Sequence, residues 1–153
     1  MGSYQNSLVG CWKLQVWKRV PQGGDVTFPL GEDAEGLLIY TPDGRMAVQL
    51  VAADRPQIDT QDSLQGGSVE QRAEAYSTCL AYFGGYEIQG DHVVHQVEAS
   101  LFPDWSGQQQ IRPFTLDGDT LILHTPPVHL AGGDVTNELI WVRAGSQADS
   151  AGS

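Results

Sequence analysis

Turn-forming residues break this chain at short intervals, and between the breaks apolar side chains recur at every second position. Thr41-Pro42-Asp43-Gly44 separates Gly36–Tyr40 from Arg45–Ala52, and Gly90-Asp91 separates Tyr86–Gln89 from His92–Phe102. Pro103–Gly107 leads into Gln108–Leu116, and Asp117-Gly118 into Thr120–Thr125. A period of two belongs to strands with one buried face, while Pro pre-sets φ and Gly accepts a positive φ at the turns. Leu8–Val20 begins the series, with Trp12, Leu14 and Val16 on one face and Lys13, Gln15 and Trp17 on the other. Val26-Thr27-Phe28 reads as a further short strand, Pro126–Val135 as a loop, and Thr136–Arg143 as the last strand. Only Val69–Phe83 has helical spacing, with Ser68 and Gln71 as a capping box and Gly84-Gly85 as its end. The fold class predicted is all-β: a single closed antiparallel β-barrel of about eight strands with one accessory helix in mid-chain. Closure is favoured because it pairs two apolar edge strands that would otherwise template aggregation.

The chain's 153 residues suffice for one core, read as a barrel domain over 1–143 with a disordered tail over 144–153. Lysine and arginine total 8 against 19 acidic residues, a net charge of -11. That balance repels phosphate backbones and anionic headgroups, so neither nucleic acid nor a membrane is an expected partner. Met1–Ser7 has no basic or apolar leader pattern, and the expected location is cytoplasmic. Cys11, on a strand, and Cys79, on the helix, are then expected to be buried, reduced thiols. A homodimer is left open, with no residue pattern in its support.

Gly10-Cys11-Trp12 and the late Arg143 resemble the Gly-x-Trp signature and arginine of lipocalins and other calycins. With Gly36–Met46, His95, Ser100–Pro103, Trp105, Gly107 and Arg112, nearly the whole chain is similar to the bacterial and fungal lipocalin-like domain family. The resemblance implies that Trp12 plugs the closed end of the barrel and Arg143 covers it through a cation–π contact. A mid-chain helix departs from the secreted lipocalins, so their ligands are not transferred. Barrels of this kind also occur in natural-product pathways as cofactor-free cyclases or isomerases, which is an implication of resemblance.

Hairpin geometry sets cross-strand partners. A two-residue turn at Gly90-Asp91 places Tyr86 opposite His95 and Ile88 opposite Val93. Continued through the later turns, this face collects Val97, Ala99, Leu101, Ile111, Pro113, Ile122 and His124, and it is assigned to the lumen. The other face then carries Glu87, Gln96, Glu98, Gln110 and Arg112, with Phe114, Leu121 and Leu123 as apolar exceptions. His95 and Tyr86 are the candidate catalytic pair, since a histidine and a phenol in an apolar cavity can transfer a proton or orient a carbonyl. The alternative is a histidine that merely satisfies its hydrogen bonds in a packed barrel. Glu98 and Arg112 are expected opposite each other, either as a surface ion pair or, turned inward by a bulge, as a clamp for a carboxylate or enolate. His124, Tyr40 at the rim and Trp105 as a lid or clasp complete the ligand-binding candidates. The four histidines, at 92, 95, 124 and 129, have no metal-binding spacing, and no cofactor fingerprint is present.

The function expected is binding of a small, largely apolar metabolite in the lumen. An enzyme is favoured at this point, a cofactor-free cyclase or isomerase that holds its substrate in a reactive conformer. A non-catalytic carrier or sensor of a hydrophobic molecule needs the same lumen without the proton transfer.

Overall fold

The computed structural model describes residues 7–58 and 64–145. Among them nine strands form one antiparallel sheet: β1 (Gly10–Pro21), β2 (Glu35–Tyr40), β3 (Arg45–Val51), β4 (Cys79–Gln89), β5 (His92–Ser100), β6 (Gln109–Asp117), β7 (Thr120–His124), β8 (Val128–Leu130) and β9 (Gly133–Arg143). Each strand pairs with its successor as far as β7, β7 pairs with β9, and β9 pairs with β1. The ring is therefore closed by eight strands, and β8 is a short addition on the start of β9. That strand lies in the segment expected to be loop. Val26–Phe28 contributes only an isolated bridge between Thr27 and Arg19. No helix among the described residues is long and apolar enough to cross a membrane.

One end of the barrel is plugged. Trp12 is fully buried, its indole N–H donates to Leu8 O at 2.9 Å, and the Arg143 guanidinium lies 4.2 Å from the ring centroid. The same guanidinium donates to Val9 O and Ser7 O, each at 2.9 Å, so it ties the entering chain to the last strand. Gly10 is required here for two reasons. Its φ is +130°, and a Cβ would sit 3.0 Å from Arg143 Nη1. Ala144 continues this end by donating to Cys11 O at 2.8 Å, so the last strand's anchoring runs past Arg143. The rest of the expected tail, from 146 on, lies outside the described residues.

The mid-chain helix is shorter than its periodicity suggests. Helix α1 (Val69–Ser77) has the capping box expected at Ser68 and Gln71 but buries no residue. From Cys79 the chain is strand, with Leu80 opposite Leu50 and Tyr82 opposite Val48. A longer helix would have left the outer edge of β3 unpaired, and closure outweighs local helical preference. Gly84 does not end a helix but allows a bulge between Phe83 and Gly84. A Cβ there would lie 1.9 Å from Gln96 O, so only glycine lets β4 and β5 approach this closely. Cys79 is half-buried on β4 and Cys11 is exposed on β1, so the expectation of two buried thiols is corrected; both are free.

If the Arg143 contacts close the barrel, Arg143→Ala should destabilise the protein by about 3 kcal/mol, combining a cation–π contact with charge-assisted hydrogen bonds. Urea unfolding followed by tryptophan fluorescence measures this. An unchanged midpoint would mean that the ring closes without the guanidinium.

Candidate functional site

Alternation around the ring sends Leu38, Val48, Leu50, Tyr82, His95 and Leu123 to the inside, where they help to line a cavity of about 720 Å³. Its plugged end is the Trp12–Arg143 cover. Its mouth lies among the longer connections, where Tyr76 of α1, Phe102, Trp105 and the Pro126-Pro127 pair meet. Trp105 stands edge-on to Tyr82 at 5.8 Å and to Phe102 at 5.5 Å, so it is a rim residue packed on the lumen wall.

His95 is 1% exposed and held between two phenols. Tyr40 OH is 2.6 Å from its Nε2, and Tyr82 OH is 2.7 Å from its Nδ1. Burial, reinforced by the positive charge of Arg112, pushes the His95 pKa down to about 3. Burial likewise pushes Tyr82 up to about 12 and Tyr40 well above the ordinary phenol value. All three rings are therefore neutral at pH 7. A neutral imidazole has one N–H and one acceptor nitrogen, so one tyrosine donates to it and the other accepts from it. The accepting tyrosine keeps its own O–H proton unused. Tyr82 lies on the cavity wall and Tyr40 does not. A spare proton on Tyr40 would be stranded in the core, whereas on Tyr82 it can serve the lumen, so the arrangement with Nδ1–H donating to Tyr82 has the lower cost. Trp141 adds a second donor: it is fully buried, lines the cavity, and its indole N–H has no acceptor among the described residues.

Several expected site residues are placed differently. Tyr86 does pair across from His95, yet its hydroxyl donates to Thr41 O at 2.8 Å and its ring packs on Tyr40 at 4.6 Å. Tyr86 therefore supports the triad from behind, and the phenols on His95 are Tyr40 and Tyr82. Tyr40 is not a rim residue but 1% exposed in the core. Glu98 does not meet Arg112: it forms an exposed ion pair with Arg45 at 2.6 Å on the outer surface. Arg112 instead turns inward on β6, because His95 pairs with Gln110 and Val93 with Arg112. His124 lies opposite Glu138 and is not on the cavity wall.

The cause of the misplaced face is the β5–β6 connection. The β5–β6 ladder stops at Gln96 and Gln109, while β5 runs on beside β4 to Ser100. The connection is thus longer than a tight turn, and the register moves by an odd number of residues, which exchanges the faces of β6 and β7. Leu121 and Leu123, like Phe114, are buried as inward residues, and these three apolar exceptions were the signal of the true face. A second exchange occurs in β1, where a bulge between Leu14 and Val16 turns Trp17 and Arg19 onto the cavity wall. Tyr82 was hidden by its assignment to a helix. Among the described residues no cluster of three or more His, Cys, Asp or Glu could hold a metal ion.

Comparison with known proteins adds three findings. The family described as the lipocalin-like domain matches residues 9–144. A protein of Aspergillus oryzae (strain ATCC 42149 / RIB 40), the 4'-hydroxy-3'-methoxypropiophenone carrier protein ppsC, is 31% identical over 105 residues, covering 63% of this chain and 94% of that protein. Among solved structures, the lipoprotein YedD from Klebsiella pneumoniae subsp. pneumoniae MGH 78578 matches with a TM-score of 0.42 at 14% identity, over 94% of this chain and 76% of that one.

Burial of neutral His95 has a consequence for stability. Its folded pKa, about 3, is below the ordinary 6.5, so under pH 6.5 the unfolded chain takes up a proton that the native one refuses. The stabilisation is complete above pH 6.5 and is lost as pH falls towards 3. Urea titrations should show His95 costing roughly 2 kcal/mol between pH 7 and pH 5, at about 1.4 kcal/mol per unit. His95→Gln should flatten that part of the profile; an unaltered slope would contradict a neutral buried imidazole.

Proposed function

The chain belongs to the lipocalin-like domain family, and on that premise we propose that it is a carrier of a small aromatic or alicyclic metabolite bearing a carbonyl-type oxygen. The observation that carries this reading is the pairing of an apolar lumen of about 720 Å³ with the Trp141 indole N–H, which has no acceptor among the described residues, and the Tyr82 hydroxyl, whose proton is free when Nδ1 of His95 carries the imidazole hydrogen. Apolar walls bind the body of such a molecule, and a few fixed donors orient it. Each unserved donor costs about 1–3 kcal/mol, which a ligand oxygen would recover. The aryl ketone in the name of the Aspergillus oryzae relative is of this chemical class, and it is the first probe to try.

Carriage is favoured over turnover by the state of His95. With a pKa near 3 and both ring nitrogens engaged, it is a poor general base at neutral pH. A cyclase or isomerase reading has one supporting feature, the spare Tyr82 proton, which could polarise a bound carbonyl as enolisation or ring closure proceeds. Both readings share the binding step and differ in what happens to the ligand.

Calorimetric titration with 4'-hydroxy-3'-methoxypropiophenone should give a Kd in the micromolar range. Tyr82→Phe should weaken binding about 5- to 20-fold, the effect of one hydrogen bond to a carbonyl. Carriage predicts that chromatography returns the compound unchanged after long incubation. Protein-dependent appearance of a new product would replace the carrier reading with the enzymatic one.

A further inference from the structure

The chain as a whole is acidic, with 19 Asp and Glu against 8 Lys and Arg, yet its lumen has the opposite balance. Among the described residues on the cavity wall there are two arginines, Arg19 and Arg112, and no aspartate or glutamate. Arg112 is half-buried on β6, on the same face as His95. Its hydrogen bonds go to neutral oxygens, Nη2 to Gln110 Oε1 and Nη1 to Ile111 O, each at 3.0 Å. These orient the planar head but bring no carboxylate to its charge, and three of its five N–H donors have no partner among the described residues. Arg19 stands at the mouth beside Asn137, exposed, with no side-chain partner among the described residues.

A guanidinium partly removed from water and facing an apolar cavity is costly unless an anion joins it. Its flat fork of donors suits a carboxylate, sulfonate or phenolate oxygen better than a neutral ketone. The charge is already felt across the lumen, since it helps to hold His95 unprotonated. Long-range attraction is not available, because the chain's net charge of -11 repels anions at a distance. That repulsion is screened beyond about 8 Å at physiological salt, so Arg19 and Arg112 govern the last steps of entry.

We infer that the lumen selects an amphipathic organic anion, an aromatic or alicyclic body whose acidic oxygen docks on Arg112 after passing Arg19. This refines the carrier reading and rests on it: the Tyr82 and Trp141 donors hold the body's neutral oxygen, and Arg112 takes the charge. For a ligand with an acidic phenol or enol, the same contact favours the ionised form in the bound state.

A matched pair of probes separates the two ideas. 8-Anilinonaphthalene-1-sulfonate and N-phenyl-1-naphthylamine share their ring system, and only the first carries an anion. Fluorescence titrations of the full chain at pH 7 should give the sulfonate at least tenfold tighter binding than the neutral amine. Arg112→Gln should remove most of that preference by weakening the sulfonate far more than the amine, and an unchanged circular dichroism spectrum reports that the variant is folded. Arg112→Lys should retain part of the preference, and rising salt should weaken only the sulfonate. Equal binding of both probes to the unaltered protein, or a preference that survives Arg112→Gln, would overturn the anion selection while leaving the carrier reading in place. Failure of both probes to bind would overturn the lumen as a binding site, and this inference with it.

Discussion

Strand β1 takes part in two ladders at once, with β2 from Gly10 to Lys13 and with β9 from Trp12 to Pro21. This double pairing makes the sheet a ring, and every later feature depends on it. An open sheet would expose the faces of Tyr82, His95 and Arg112 to solvent, where a histidine keeps an ordinary pKa and an arginine needs no counter-ion. The Trp12–Arg143 cover works on the same principle at one end, because Arg143 binds carbonyls of the entering chain and the ring of Trp12 together. With that end covered, the cavity's mouth lies among the longer connections.

Much of the architecture could be read from alternation and turns. The Thr41–Gly44 and Gly90-Asp91 turns join hairpins as read, and the second fixes its register, so Tyr86 opposite His95 and Ile88 opposite Val93 occur as expected. The Gly10, Trp12 and Arg143 signature is equally direct, since each residue touches another in the cover. The interior site was only partly legible. Two bulges and one long connection exchange faces without changing composition, and parity counting cannot see them. One placed Trp17 and Arg19 inside, another accompanies the close approach at Gly84, and the β5–β6 connection moved Arg112 from the surface to the wall. Helical spacing over Leu80–Phe83 also masked Tyr82, because an alternating strand and a helix face share several positions over so short a run.

The polar groups in and behind the lumen wall include two kinds. Tyr40 and His95 are satisfied by protein, and Tyr86 is fixed by Thr41, so these residues set geometry. Tyr82, Trp141 and Arg112 each retain hydrogen-bonding capacity or charge that no described protein group meets. A filled core has no use for such groups, and their cost argues for an occupant. The apolar remainder supplies affinity without direction, so the three retained groups decide orientation and choice of ligand.

The central claim, that a ligand enters the barrel and meets these groups, is tested most directly by the indole N–H resonances of the four tryptophans. In a 15N–1H spectrum with 8-anilinonaphthalene-1-sulfonate added to saturation, Trp141 should shift most, because its N–H has no acceptor among the described residues. Trp12, already bonded to Leu8 O beneath the cover, should stay in place. A saturated complex in which the Trp141 signal does not move would contradict the account.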